Sequence, residues 1–551
     1  MMLSETKLFT RNTTIAMVGI LLLAGYAYFL NITTIGIWGA DTFTYWGWGY
    51  RWSQGEYGLF GSFRPVVSLA YGLSLKLFGI NDYSIKILNS FLGLFNILLA
   101  FIIASVISRS GLVGIATAIL YAFSPTIIQM NKNERIHTLS CFFLLLSLLC
   151  FIVFYHFRGK PDNNKWYAFE QYLFLILSGF LLGVSCHIHQ EISLIGPGFI
   201  SFLLVAAILS WKNIQTLFEW IKDSFLFTFS FFIPFFFCLA AFPHTEVFQA
   251  LLQAYSKETG PKYEVPFFKY FPIVFDKFIN FPFHWAPMSF FFIIALLFMI
   301  ILGFVNRSKK QDKNDPHLLP YLPLFIIFSY LIGYSLLGFR LYPRLFVPFA
   351  PLILMVIFHW YKRMLEYQNM KHISVALISI VILMGTTIWP RNPWQIFSSA
   401  SYVQSPYRLV FDLLKNEVNH QNRILITPYT SFNFRKGFIG GYYKNGTHGT
   451  VNKLYFDKDF VIYISDFKRH ISFEEILNNY HIRYLIFSKK LHYQNNLHIL
   501  KSSLGLAYGF APSEYSLDKE LQFLINFCRQ KGATLILNEN ELLIYQLNLR
   551  E

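Results

Sequence analysis

Eleven apolar runs, each near the length needed to cross a bilayer, fill most of the first 390 residues of this chain. With no water in the hydrocarbon core, a crossing helix must satisfy its own backbone, and it needs roughly 20 apolar residues to do so. The runs are 13–30, 83–107, 112–128, 138–157, 169–186, 192–210, 224–242, 287–305, 318–337, 345–360 and 373–389. Composition agrees. Only 14% of the 551 residues are charged, against about 25% in a soluble chain. With 62 Phe and 33 Tyr, the solvent for most of the surface is lipid. Hydrophobicity falls after Pro390, so two parts are expected: a transmembrane domain over 1–390 and a soluble domain over 391–551. The first run follows Lys7 and Arg11 and has no small-residue cleavage site before Trp38, which reads as an uncleaved signal anchor.

The formal charge of +16 would suggest nucleic acid as a partner for a soluble protein. Here the basic residues are scattered over short loops between apolar runs. They suit anionic membrane lipids and set orientation, and no nucleic-acid partner is expected. Four of the five cysteines, Cys141, Cys150, Cys186 and Cys238, lie in apolar runs, and Cys528 stands alone in the soluble part. That pattern argues against a disulfide framework and against a Cys-ligated metal.

Segment 65–79 is apolar but too short to span comfortably, and charge decides its place. If it lies in the interface, the short loops carrying Arg109, Arg158, Lys160, Lys212, Lys309, Lys362 and Lys371 all fall on the side of Lys7 and Arg11. That is the positive-inside pattern, and it makes 65–79 an interfacial helix of the outer leaflet. Segments 31–64, 129–137, 187–191, 243–286 and 338–344 then share the extracytoplasmic face of a cell (inner) membrane, and the soluble domain follows them there. That domain reads as α/β, with strands at 423–427, 460–465 and 482–487, helices at 473–480 and 521–531, and a hairpin of 534–537 with 542–546. Gly437, Gly440 and Gly441 form no phosphate loop, so it reads as a small globular cap.

Chemistry-bearing residues gather in those outer segments. Asp41 stands just past the first helix among aromatics, Tyr45 included. A carboxylate there is a functional candidate because burying it is costly; a solvated loop Asp beside an aromatic belt is the equal alternative. Arg64 sits in Phe63-Arg64-Pro65, where the chain re-enters the interface. It can hold a phosphate bidentately, or it can snorkel. The second loop carries Lys132, Glu134, Arg135 and His137, and a solvated cap is its plainer reading. His187, His189 and Glu191 are metal-ligand types, but residues two apart do not share a helix face, so a polar helix end is the default. Arg340, Tyr342 and Arg344 crowd the last outer turn, where two arginines suit an anion or anchor the membrane edge.

In order and sidedness these residues resemble the GT-C glycosyltransferases. The resemblance is to the branch of glycosyltransferase family 39 type that holds protein O-mannosyltransferases and the aminoarabinose transferase of lipid A. It rests on an Asp in a long first outer loop, Arg64-Pro65 opening a segment that ends Leu77-Phe78-Gly79, a charged loop after Ser124-Pro125, and the run Tyr342 to Pro348. The implied fold is an α-helical polytopic GT-C-like membrane protein of about eleven transmembrane helices plus interfacial helices, with a C-terminal α/β domain. The resemblance implies a sugar donor on polyprenyl phosphate and a lipid, glycan or protein acceptor. Asp41 matches the family's catalytic Asp, the base on the acceptor hydroxyl. Glu134 matches an acidic position of the second loop. Arg64 and Arg344, with Arg340 as the lesser choice, match donor-phosphate ligands. Tyr45, Arg135, His189, Glu191 and Tyr342 would line the pocket. Thr42 follows Asp41 where many relatives have an acid, and Glu134 stands where Asp is common. A divalent metal therefore stays an open alternative, and no cofactor is implied for certain. A single base with direct displacement implies inversion at the anomeric carbon.

Two other classes share these features. A flippase or transporter of lipid-linked sugar would need polar residues along several helix interiors, whereas these helices are largely Phe, Leu and Ile. A non-catalytic assembly subunit would carry a degenerate site.

Overall fold

The structure is a computed structural model, and its described residues are 10–34, 40–56, 64–132, 136–158, 165–209, 214–241, 266–283, 286–306, 318–339, 343–366, 371–386, 406–426, 460–463, 472–488, 517–539 and 542–548. The chain divides into two compact units. The first comprises Met1–Leu30, Gly58–Ala70 and Lys86–Ser401; the second comprises Asn31–Tyr57, Tyr71–Ile85 and Tyr402–Glu551.

The first unit is a helical membrane body. Among the described residues, eight helices are long and apolar enough to cross a bilayer, or ten if each of two bent pairs counts as one span. In chain order the helices are α1 (Arg11–Phe29), α2 (Ala40–Ser53), α3 (Pro65–Phe78), α4 (Ser84–Ser108), α5 (Gly111–Phe123), α6 (Pro125–Asn131), α7 (His137–Arg158), α8 (Lys165–Ile188), α9 (Gly196–Leu209) and α10 (Ile214–Ala241), of which α2 and the part of α3 from Tyr71 onward belong to the second unit. They are followed by α11 (Phe267–Asn280), α12 (Met288–Asn306), α13 (Leu322–Leu336), α14 (Ala350–Leu365) and α15 (Lys371–Thr386). Each of the eleven apolar runs thus contains a helix. The last is the shortest case: the apolar stretch of α15, His372–Met384, is less than a full span. Segment 65–79, expected at the interface, contains α3, a 14-residue apolar helix.

Burial separates central from peripheral helices. The span Pro343–Leu365 is 94% buried, whereas Ile214–Cys238 is 28% buried and turns Phe225, Phe229, Phe232 and Phe236 outward. Exposed rings in that number belong against lipid tails. The core of the unit is aromatic, as where Tyr330 meets Phe349 at 4.3 Å and Phe278 meets Phe346 at 5.4 Å.

Three departures from the apolar pattern have local causes. The run 112–128 is not one straight helix: α5 and α6 are bent by 66° at Ser124. Pro125 has no N–H to continue the ladder and forces Ser124 into extended backbone, φ −62° and ψ 127°. The freed groups are re-used, since the Ser124 hydroxyl donates to the Pro282 carbonyl at 2.7 Å and Thr126 donates to Phe281 at 3.3 Å. Helix α10 begins ten residues before its apolar run, at Ile214. Its polar first turns are satisfied by packing on α7 and α8: Asp223, fully buried, pairs with Arg158, whose guanidinium lies 3.7 Å over the Trp220 ring. Finally, part of the outer segment 243–286 is helical. Tyr270, Val274 and Phe278 share one face of α11 at four-residue spacing and are buried, while Phe268 is exposed.

In the second unit, α16 (Pro406–Leu414) precedes β1 (Arg423–Ile426), β2 (Val461–Tyr463), α17 (Phe473–Asn479), β3 (Ile482–Ser488), α18 (Leu517–Gln530), β4 (Thr534–Glu539) and β5 (Leu542–Gln546). The sheet order is β2-β1-β3-β5-β4. β1 is parallel to β2 and β3, while β5 is antiparallel to β3 and β4. Helix α17 starts with a capping box: the Ser472 hydroxyl accepts from the Glu475 N–H, and the Glu475 carboxylate accepts from the Ser472 N–H at 2.7 Å. Ile476, Leu524 and Cys528 from the two later helices pack on Leu425, Leu485 and Leu543 of the sheet.

Candidate active site

A charged cluster occupies one end of the membrane body. Helix α8 ends at Ile188, and His189 takes extended backbone, φ −143° and ψ 103°, before the 3-10 turn Gln190–Ile195. This break in the α-helix lets His189 Nδ1 lie 2.6 Å from Glu191 Oε2. The imidazole is 3% exposed, so the pair is nearly shut off from water. The His137 ring, at the start of α7, is 5.3 Å from the His189 ring. Arg64, buried at 7% exposure, lies within electrostatic reach of the Glu191 carboxylate, and so does Tyr330 of α13. A guanidinium buried at the residue before α3 needs a counter-charge, and Glu191 supplies part of it.

Arg344 is half-buried in the 3-10 turn Pro343–Phe349. That turn packs on the Tyr330 ring through Phe349 and on α7 through the Cys141 thiol, which donates to the Pro348 carbonyl at 3.5 Å. Arg64, His189 and Glu191 thus stand together, and the turn bearing Arg344 packs on Tyr330, their neighbour. Glu134, Arg135, Arg340 and Tyr342 lie outside the described residues. Asp41 and Tyr45 belong to α2 of the second unit. The Asp41 backbone is in the first turn of that helix while its side chain lies outside the described part, and Tyr45 stacks edge-on against Trp48 at 5.4 Å.

The ligand reading of His187 with His189 does not hold. His187 points from α8 onto the Phe235 ring at 4.3 Å, while His189, past the helix end, turns to Glu191. Among the described residues no three His, Cys, Asp or Glu side chains form a metal-ligating group.

Two lysines of the same unit are also buried. Lys86, near the start of α4, is fully buried. Lys132 Nζ donates to the carbonyls of Ala27 at 3.0 Å and Leu30 at 2.6 Å, at the C-terminal end of α1. Burial, with a smaller push from the charge of Lys86, brings the Lys132 ammonium down to about 7. Between that value and the ordinary 10.5 of lysine, the unfolded chain binds more protons than the folded one. Stability from this group therefore rises with pH across that window, and its cost is fully present below it. Lys132→Met is expected to flatten the rise in Tm between about pH 7 and pH 9 in detergent; an unchanged slope would refute the assignment. Sequence reading placed Lys132 and His137 in a solvated cap and passed over Tyr330 and Lys86. The available signal was a lysine inside an apolar run, which is costly unless it is partnered.

No protein-family model and no curated sequence matches the chain. Solved structures do. ArnT from Cupriavidus metallidurans bound to undecaprenyl phosphate is similar with a TM-score of 0.53 at 11% identity, covering 98% of this chain and 98% of that one. The same protein in its apo state gives 0.52 at 12% identity, covering 97% of each. The Archaeoglobus fulgidus oligosaccharyltransferase in complex with Zn and sulfate gives 0.51 at 12% identity over 89% of this chain and 70% of that one. The chain is a polytopic membrane protein with the GT-C fold.

Proposed function

We propose that this protein is a membrane glycosyltransferase that moves a sugar from a polyprenyl-phosphate donor to an acceptor hydroxyl on the extracytoplasmic side. The acceptor is a lipid, an envelope glycan or a protein, and residues 391–551 form a domain on the same side. The observation that carries this reading is the buried Arg64, opening an interfacial helix beside Glu191, in a fold shared over its whole length with a protein that binds undecaprenyl phosphate. Arg64 and Arg344, with Arg340, hold the donor phosphate. Asp41 takes the proton of the acceptor hydroxyl. As that oxygen bonds to the anomeric carbon, the bond from carbon to phosphate oxygen breaks and its electron pair leaves with the lipid phosphate. The phosphate is already a good leaving group, so fixed positive charge is what the site must supply. One base and one displacement invert the anomeric centre. Glu134 orders the acceptor side, and Tyr45, Arg135, His189, Glu191 and Tyr342 shape the pocket.

Arg64→Ala is expected to weaken binding of undecaprenyl phosphate about tenfold or more, the loss of one charge-assisted contact of about 1.5–3 kcal/mol. Titration of the lipid into nanodisc-embedded protein reads this directly, and an unchanged Kd would remove Arg64 from the donor site. Mass spectrometry of envelope lipids and glycans, with and without the protein, tests the function itself. The expected result is loss of one hexose or pentose from one species; identical glycan profiles would defeat the proposal.

A further inference from the structure

The second unit ties its soluble part to α2 through a chain of specific contacts. Helices α2 and α3 approach so closely that a Cβ on Gly49 would lie 2.7 Å from the Tyr71 Cβ, and one on Gly72 would lie 2.8 Å from the Trp52 Cβ. Beyond α3 the chain turns sharply at Gly79, φ +87°, a conformation glycine adopts without a Cβ penalty. The turn is locked internally. Asn81 accepts the N–H groups of Tyr83 and Ser84 at 3.1 and 2.8 Å, and the Ser84 hydroxyl donates to the Gly79 carbonyl at 2.6 Å. Trp46 of α2 is fully buried and donates its indole N–H to the Asn81 carbonyl at 2.9 Å. The next residue, Asp82, is 3% exposed, and both of its carboxylate oxygens lie 3.3 Å from Nη1 of Arg408 in α16. Arg408 is itself held from its other side, where Nε donates to Asp412 at 3.1 Å.

We infer that Arg408 is a positioning residue: through Asp82, the 79–84 turn and Trp46 it fixes α2, the helix whose first turn holds Asp41. The inference rests on the reading of Asp41 as the base. Its physical core does not, because removing the arginine takes counter-charge from a buried carboxylate, and the turn that carries this carboxylate holds Trp46. The soluble part of this unit thereby acts on α2 through Arg408, without contributing a group to the chemistry.

Hydrogen–deuterium exchange of the full chain in nanodiscs tests this. In Arg408→Ala, amides of Ala40–Ser53 and of 79–84 are expected to exchange about tenfold or more faster, with β3 and β5 unchanged. Arg408→Lys, which keeps the charge but loses the planar fork, should recover most of that protection. Unchanged exchange in α2 overturns the inference. So does an equal rise in α2, β3 and β5, because Arg408 would then merely support the domain. With a sugar-transfer assay, Arg408→Ala is expected to lower kcat while KM for the donor holds. A chain with no transfer activity, but with the expected exchange pattern, would sink the proposed function and leave the coupling standing.

Discussion

Asp41→Asn is expected to slow single-turnover sugar transfer by about 10²–10⁴-fold, the usual contribution of a positioned general base. That is roughly 3–5 kcal/mol of barrier. Asparagine keeps the size of the side chain and its hydrogen-bonding reach but cannot take a proton. In the proposed function donor binding falls to guanidinium groups elsewhere in the chain, so the Kd for undecaprenyl phosphate is expected to stay within about twofold. Transfer at the original rate by the Asn variant would remove Asp41 from the chemistry. A product that retains the donor's anomeric configuration would remove the single-displacement mechanism, whatever the fate of Asp41.

The largest expected effect on stability is at the pair between α7 and α10. Asp223→Ala removes the fully buried counter-charge of Arg158 and leaves Glu219 as the nearby acid. Breaking such a pair costs about 3–5 kcal/mol, much of it from the charge left behind. The remaining stacking of Arg158 on Trp220 offsets only a fraction of this. A lower Tm in detergent is therefore expected for Asp223→Ala. The double variant Arg158→Met with Asp223→Leu should recover most of the loss, since neither charge then remains to be desolvated. A double variant as unstable as the single one would show that the pair's geometry, not its charge, holds the two helices.

The membrane helices were readable because lipid imposes a length and forbids unpaired backbone, and both conditions are written in consecutive residues. The soluble strands 423–426, 482–488 and 542–546 were readable for a similar reason, as short buried runs bounded by polar turns. What escaped was set by contacts between distant segments. Helix α16 was missed although Pro406 at its first position marks a helix start. The first turns of α10 read as a polar loop because nothing nearby announces that Arg158 will meet Asp223. At the site, the sequence supplied the residue types of Arg64, His189 and Glu191, and sidedness brought them to one face. It did not supply Tyr330, whose position beside Glu191 depends on how α13 packs.

The Ser124 hydroxyl bond to Pro282 has a bearing on how such a chain can vary. Each partner sits where its own helix has been interrupted, so each interruption furnishes what the other lacks. A residue inserted on either side would swing the following helix by about 100° and carry its partner out of register. Insertions and deletions near residue 124 should survive only when matched by a change near residue 282, so that two places 158 positions apart in the chain are inherited as one.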